Sequence, residues 1–284
     1  MPNWAEPGFE PLKGMPFQAY VQRDDLIHPV VSGNKSRKLL GWLRLAEEQG
    51  AKRLLSMGGA YSNHVIALAS AAGDYGFESA CYVRGDEPMS NLFLDYAQSQ
   101  GMELIPLSRA DFRDLRSRGP LALEEGDLFI PEGGFGEPAW KGFQRLVESW
   151  PEDLDLIVHA SATATTAIGL GLALSSLGRS TRVMAVAVLK NADEQRTALD
   201  QLGLNQVEVW DQAHWGGYAK TPEALLAYWK EAEQRTELVL DPVYTAKALH
   251  AMEQAMLSGK LEGKVLFYHS GGCWGGQSER FRSY

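Results

Sequence analysis

Short apolar runs alternate with helical stretches along most of this chain, and that alternation limits the folds open to it. Runs at 54–57, 80–83, 103–107, 128–130, 156–159, 183–189, 207–210 and 265–268 have the length and residue types of strands. Stretches at 91–100, 140–150, 167–177, 194–202, 222–234 and 244–257 carry helical periodicity. Strands that are continuously apolar are covered on both faces, and strands joined by helices pair in parallel. The expectation is an α/β protein built from doubly wound parallel sheets. A chain of 284 residues, 45% of them hydrophobic, can bury one large core or two medium ones. The best internal boundary is the proline and acid turn Ser149-Trp150-Pro151-Glu152-Asp153, with a second near Lys38.

Against that frame several clusters point to chemistry. Arg23-Asp24-Asp25-Leu26 is followed by Ser32-Gly33-Asn34-Lys35-Ser36-Arg37-Lys38, directly before the apolar-periodic stretch that starts at Leu39. A lysine at a glycine-opened helix start stands beside unpaired backbone N–H groups, an anion-binding surface. The helix N-terminus and the neighbouring Arg37 and Lys38 should disfavour its ammonium form, which makes Lys35 a candidate Schiff-base nucleophile. Taken alone, such a run is more often a solvated helix face. Lys38, one turn further along, is expected to point elsewhere.

A second cluster, Gly58-Gly59-Ala60-Tyr61-Ser62-Asn63-His64, lies between a short apolar run and an alanine-rich helix. Strand, glycine turn and small polar residues at a helix start present N–H groups to a carboxylate or phosphate. A third, Ala160-Ser161-Ala162-Thr163-Ala164-Thr165-Thr166, offers hydroxyls and N–H groups at another helix start, although a plain helix cap has the same composition. Tyr218 follows the glycines of Trp215-Gly216-Gly217, and Tyr244 opens a helix behind Pro242. Gly169-Leu170-Gly171 lacks a third glycine and sits inside a helical stretch, so it is not a dinucleotide fingerprint.

Other function classes are disfavoured. A net charge of −9 argues against nucleic acid or an anionic membrane as the main partner. Cys81 and Cys273 form no disulfide framework, and no histidine or cysteine spacing suggests a metal site. No apolar stretch approaches a membrane span. Glu6, Glu10 and the early prolines interrupt any apolar region, so no signal peptide is expected, and a cytoplasmic location is.

In order and spacing, QRDDL, SGNKSRKLL, GGAYSNH, LDPVYTAKA and YHSGG resemble the 1-aminocyclopropane-1-carboxylate deaminase and D-cysteine desulfhydrase family. That family belongs to the tryptophan-synthase-β-like, fold type II, pyridoxal-phosphate enzymes, and the likeness covers nearly the whole chain. It implies two parallel-sheet domains, residues 1–38 with 149–284 and residues 39–148, holding the cofactor in the cleft between them. It further implies a homodimer acting on a small amino acid. By resemblance, Lys35 binds pyridoxal phosphate and carries the Cα proton. The loop Ala162, Thr163, Ala164, Thr165 and Thr166 takes the phosphate, with alanines where family members have glycines. Ser62, Asn63 and His64 grip the substrate carboxylate, and Asn63 also reaches the ring hydroxyl. Ser270 faces the ring nitrogen, and Tyr218 and Tyr244 line the substrate side. Thr245 and Ser270 match desulfhydrase-like members, which favours β-elimination from a D-amino acid to pyruvate and ammonia. Deamination of the cyclopropane substrate is the alternative, and a catalytically quiet pyridoxal-phosphate-binding protein is the third reading.

Overall fold

The structure is a computed structural model that describes residues 4–85, 90–217, 220–272 and 274. A six-stranded sheet has the order β1-β2-β10-β7-β8-β9, where β1 is Phe9–Pro11, β2 Ala19–Gln22, β7 Leu156–Ser161, β8 Arg182–Ala187, β9 Val207–Trp210 and β10 Val265–Tyr268. A four-stranded sheet has the order β5-β4-β3-β6, with β3 at Arg53–Gly58, β4 at Glu78–Arg84, β5 at Glu103–Leu107 and β6 at Asp127–Ile130. Every pairing in the smaller sheet is parallel. So is every pairing in the larger one except β1 with β2.

The continuous apolar strands do what their composition requires. All of β7 and β10 is buried. Leu156, Val158 and Ala160 face one hydrophobic cluster, whereas Ile157, on the opposite face, joins another. The first cluster is closed by α9 (Glu223–Thr236) and α10 (Thr245–Leu257), the second by α6 (Gln144–Glu148) and α7 (Thr165–Ser176). Each fully buried Val, Leu or Ile side chain contributes roughly 1.5–3 kcal/mol of transfer free energy. The smaller sheet is covered by α1 (Asn34–Gln49), α2 (Asn63–Tyr75) and α3 (Leu92–Ser99), whose buried side chains share one cluster with it.

The structure corrects the sequence reading in three places. Strands β1 and β2 were not anticipated, and their antiparallel pairing makes the larger sheet mixed. The connection through residues 12–18 doubles back to create it, with Gly14 at φ 67° and Leu12 N–H donating to the Ala19 carbonyl. The expected helix at 140–150 is two short ones, α5 (Glu137–Lys141) and α6, separated at Gly142 and Phe143. A Cβ on Gly142 would lie 1.9 Å from the Arg37 carbonyl oxygen, so this glycine lets α1 approach closely. Between β5 and β6 the chain forms α4 (Arg109–Arg118), capped by the Ser108 hydroxyl, which accepts from Asp111 N–H. The glycines of 169–171 serve packing, since a Cβ on Gly169 would strike the Phe143 ring and one on Gly171 the Val207 side chain.

Candidate active site

A cavity of about 400 Å³ opens between the two sheets, beyond the carboxyl ends of β3, β7 and β10. Clefts at the carboxyl ends of parallel strands are where such folds bind ligands. Lys35, Ser62, Asn63, His64, the loop 160–166, Tyr244 and Ser270 all line it, so residues spread over most of the sequence meet at one place. Tyr218 and Cys273 lie outside the described residues.

Helix α1 begins at Asn34 behind Gly33, and no side chain caps it. Asn34 N–H donates to the Ser270 carbonyl at 3.1 Å, which ties the helix start to the loop after β10, and Gly33 N–H donates to the Asp24 carbonyl at 2.7 Å. Lys35 is half-buried because it borders the cavity, and its Nζ stands 5.7 Å from the centroid of the Tyr244 ring. The surrounding protein lowers its pKa to about 8, and only Asp241 opposes that shift. The cause therefore differs from the expected repulsion by Arg37. That guanidinium is held by Asp24 through two hydrogen bonds of 2.9 Å each, which outweigh its own desolvation and keep it above its ordinary range. Asp24 is fully buried and also accepts from Gln22 and the Tyr268 hydroxyl. The Arg-Asp-Asp motif is thus the brace of helix α1.

Lys38 does not point elsewhere. It is buried, lines the same cavity, and donates to the Gly133 carbonyl at 3.2 Å. A Cβ on Gly133 would meet the Thr163 side chain at 3.2 Å, so the Lys38 amine lies beside the threonine loop. Burial, then the charge of Lys35, holds its pKa well below the ordinary value. Two lysines on one helix reach one cavity because both side chains extend toward it from successive turns. The spacing Lys-x-x-Lys was the available signal.

Ser62 caps α2 by accepting from His64 N–H at 3.3 Å. Asn63 Nδ2 faces Asp241 Oδ2 at 3.5 Å. His64 is a different case from the one expected. The Ser56 hydroxyl donates to the Ile130 carbonyl at 2.7 Å, which uses its only proton, so the contact of 2.9 Å with His64 Nε2 must be donated by the imidazole. In the neutral ring the buried Nδ1 is then a lone pair, and it has no partner. Burial, then the charges of Lys38 and Lys35, lowers its pKa to about 3. With Nε2 donating to Ser56, the neutral ring keeps only an acceptor, Nδ1, so in this state the side chain offers a carboxylate no donor.

His159 is neutral for the same main reason, with its pKa lowered to about 4 by burial. Below the ordinary value of 6.5 the unfolded chain protonates both imidazoles while the folded chain does not, so stability falls with pH. Each contributes a slope of up to ~1.4 kcal/mol per pH unit down to its folded pKa. Asp241, pushed up to about 6 mainly by burial, acts in the opposite sense between that value and its ordinary 3.8, offsetting one histidine. Urea midpoints are expected to fall steadily from pH 6.5 to pH 4.5. A midpoint that stays flat across that range would mean that the imidazoles are not neutral in the fold.

At the third cluster, Ala164 is the N-cap residue of α7 and adopts φ 57°, ψ −13°, with no side-chain cap. Ala162 is not among the positive-φ residues, so only one of the two alanines sits where glycine is favoured. The left-handed conformation costs an alanine about 1 kcal/mol, and the Ala164 methyl, 2% exposed, packs in the hydrophobic cluster around α7. Thr163 and Thr165 hydroxyls bond each other at 2.8 Å. Asn34 Nδ2 donates to Thr166 Oγ1 at 2.8 Å, which leaves Asn34 Oδ1 buried without a partner. The plain-cap reading fails here, because neither α1 nor α7 has a side-chain cap and both begin at this cavity.

Ser270 is buried on the cavity wall, while Thr245 is not on it. The Thr245 hydroxyl accepts from Asp241 N–H at 2.7 Å inside the core. Sequence reasoning missed Asp241 and Lys38, although both stood inside quoted motifs. Among the described residues no cluster of metal-ligating side chains occurs, and no helix is long and apolar enough to cross a membrane.

Comparison with known proteins agrees with this geometry. The sequence pattern of the family described as "Pyridoxal-phosphate dependent enzyme" matches residues 2–271. A protein of Thermotoga maritima named "Putative 1-aminocyclopropane-1-carboxylate deaminase" is 32% identical over 284 residues, covering 91% of this chain and 90% of its own. The D-cysteine desulfhydrase of Yersinia pestis is 26% identical, covering 90% of this chain and 87% of its own. The crystal structure of an ACC deaminase homologue superposes with a TM-score of 0.83 at 27% identity, covering 96% of this chain and 91% of that one.

Proposed function

The chain belongs to the pyridoxal-phosphate dependent enzyme family, in the group of 1-aminocyclopropane-1-carboxylate deaminases and D-cysteine desulfhydrases, and from that premise we propose that it is a lyase eliminating a β-substituent from a small D-amino acid. With D-cysteine the balance is D-cysteine plus water giving pyruvate, ammonia and hydrogen sulfide. The observation that carries the reading is Lys35, an amine whose pKa is lowered to about 8 beside two uncapped helix N-termini.

The residues present fit the cofactor. The N-terminus of α7 offers uncapped N–H groups to a dianion, and Lys38 supplies an amine donor beside the same loop, whose ammonium form a bound phosphate would favour. Thr163, Thr165 and Thr166 would hold the phosphate with those N–H groups, and Lys35 would hold the aldehyde carbon. Bound there, pyridoxal phosphate supplies an electron sink for the charge left at the substrate Cα when its proton departs.

The rest falls to side chains. Lys35 Nζ would take the Cα proton, and a pKa near neutrality suits an amine for that work. Ser62, Asn63 and the N–H groups of their loop would hold the substrate carboxylate. Asn63, kept in place by Asp241, would also reach the ring hydroxyl. Tyr244, whose ring lies under Lys35, would donate a proton to the departing group, with Tyr218 the other candidate for that step. Ser270 would face the ring nitrogen, and a neutral hydroxyl stabilises a protonated ring less than a carboxylate does. A moderate electron sink favours substrates with a good leaving group at Cβ. Thr245 loses weight as a substrate marker, since its hydroxyl is spent on Asp241 N–H. The proposal includes a large part, residues 1–38 with 149–284, and a small part, 39–148, meeting at the cavity.

Cyclopropane deamination remains the second reading, carried by the name of the Thermotoga maritima relative. Ammonia release is common to both reactions and decides between them. D-cysteine and β-chloro-D-alanine are expected to release it at least ~10-fold faster than 1-aminocyclopropane-1-carboxylate, a difference of about 1.4 kcal/mol in barrier. If the cyclopropane substrate is fastest, the deaminase reading replaces the desulfhydrase one.

A further inference from the structure

Asp241 is an acid enclosed by the site, and the mechanism above gives it no role beyond steadying Asn63. It is 1% exposed, on the segment leading into α10. Its Oδ1 accepts from Val243 N–H at 2.7 Å and Tyr244 N–H at 3.2 Å, the work of an ordinary turn cap. Its Oδ2 has no such use. It faces Asn63 Nδ2 at 3.5 Å and lies 3.0 Å from where a Cβ on Gly272 would stand. Gly272 lines the cavity, and so does Tyr244, whose ring lies under the Lys35 amine.

A cap does not need a charge, for asparagine serves as well as aspartate. Burying a carboxylate with one oxygen nearly unpaired is costly unless a cation nearby compensates it. We propose that Asp241 is the buried counter-ion of Lys35, a positioning residue that holds the proton on the lysine nitrogen and steers the Asn63 amide. The inference rests on the reading of Lys35 as the cofactor lysine.

The charged groups around this pair are few. From α10, Lys247 is buried and donates to the carbonyls of His214 at 3.0 Å and Gly217 at 3.2 Å. From α1 come Lys38 and the already paired Arg37; from α2 comes the neutral His64. His269, after β10, accepts from Gly271 N–H at Nδ1, with Asp25 behind it at 3.7 Å. Asp241 raises the pKa of both Lys35 and Lys247, each of which burial pulls down to about 8. Its own value of about 6 leaves it ionised where those lysines titrate.

The test is a pH titration of the visible absorbance of the bound cofactor, which reports the proton on the nitrogen joining it to Lys35. In Asp241→Asn the capping oxygen is kept and the charge is lost. The midpoint is expected to fall by about one pH unit, a tenfold change in the protonated fraction, as removal of a nearby opposite charge requires. Should Asp241→Asn fail to fold, Asp241→Ser, which also caps without charge, gives the same readout. A midpoint equal to that of the parent in a folded variant overturns the counter-ion role while leaving Lys35 as the cofactor lysine. A parent protein that shows no cofactor absorbance, or whose borohydride adduct lies on another lysine, overturns both.

Discussion

Lys35→Ala is expected to abolish the borohydride-stable pyridoxyl adduct and to lower ammonia release by at least ~10³-fold. Proton transfer by a positioned side chain is worth ~10²–10⁴-fold, and this variant also removes the covalent hold on the cofactor. The comparison that gives the result its meaning is Lys38→Ala. Both amines line the cavity, and burial weakens the ammonium form of each. Their partners differ, however. Lys35 stands over Tyr244 with Asp241 as its counter-charge, whereas Lys38 is bound to the Gly133 carbonyl beside the threonine loop. Lys38→Ala should therefore keep the adduct on Lys35 and weaken cofactor affinity by about 1.5–3 kcal/mol, the worth of one charge-assisted hydrogen bond. Peptide mapping after borohydride reduction reads both outcomes, and an adduct on Lys38 in the parent protein would reverse the two roles.

Gly33→Ala should destabilise the fold by at least about 3 kcal/mol, combining the cost of a positive φ with that of overpacking. Gly33 adopts φ 63°, ψ −142°, and an added Cβ would lie 2.0 Å from the Ser270 carbonyl oxygen and 2.3 Å from Gly271 N. Those are backbone atoms, so no rotamer change relieves the contact. The start of α1 would have to move away from the loop after β10, carrying Lys35 with it, and cofactor affinity should fall alongside stability. Gly50 is the internal control. It has the same φ of 63° at the other end of α1, but nothing lies within 4 Å of its added Cβ. Gly50→Ala should cost only about 1–2 kcal/mol. The difference between the two denaturant midpoints reports the collision together with the extra strain of ψ −142°, since Gly50 at ψ 33° lies in the left-handed helical well, and equal losses would show that the contact with Ser270 carries no weight.

The legibility of the fold followed from periodicity. Strands β7 and β10 are apolar at every position because both faces are covered, and that requirement is written locally in the residues. Strands β1 and β2 are short, and β1 is an exposed edge whose partner sits across a turn; no continuous run marked them. The break at Gly142 was equally hidden, since its reason is the Arg37 carbonyl of another helix.

For the site, sequence determined the inventory. A glycine before a lysine, a serine at a helix start and threonines after a strand each reflect a local backbone need, and order and spacing sufficed to group them. Only the tertiary structure decided what each group carries. Lys35 loses proton affinity through burial, Arg37 keeps its charge through Asp24, and His64 loses its charge through burial and its donor to Ser56. Protonation depends on what surrounds an atom within a few ångströms, and here the surroundings come from residues far away in the chain. Asp241 and Lys35 are remote in sequence and come to one site only because the chain leading into α10 and the loop after β10 close over the start of α1.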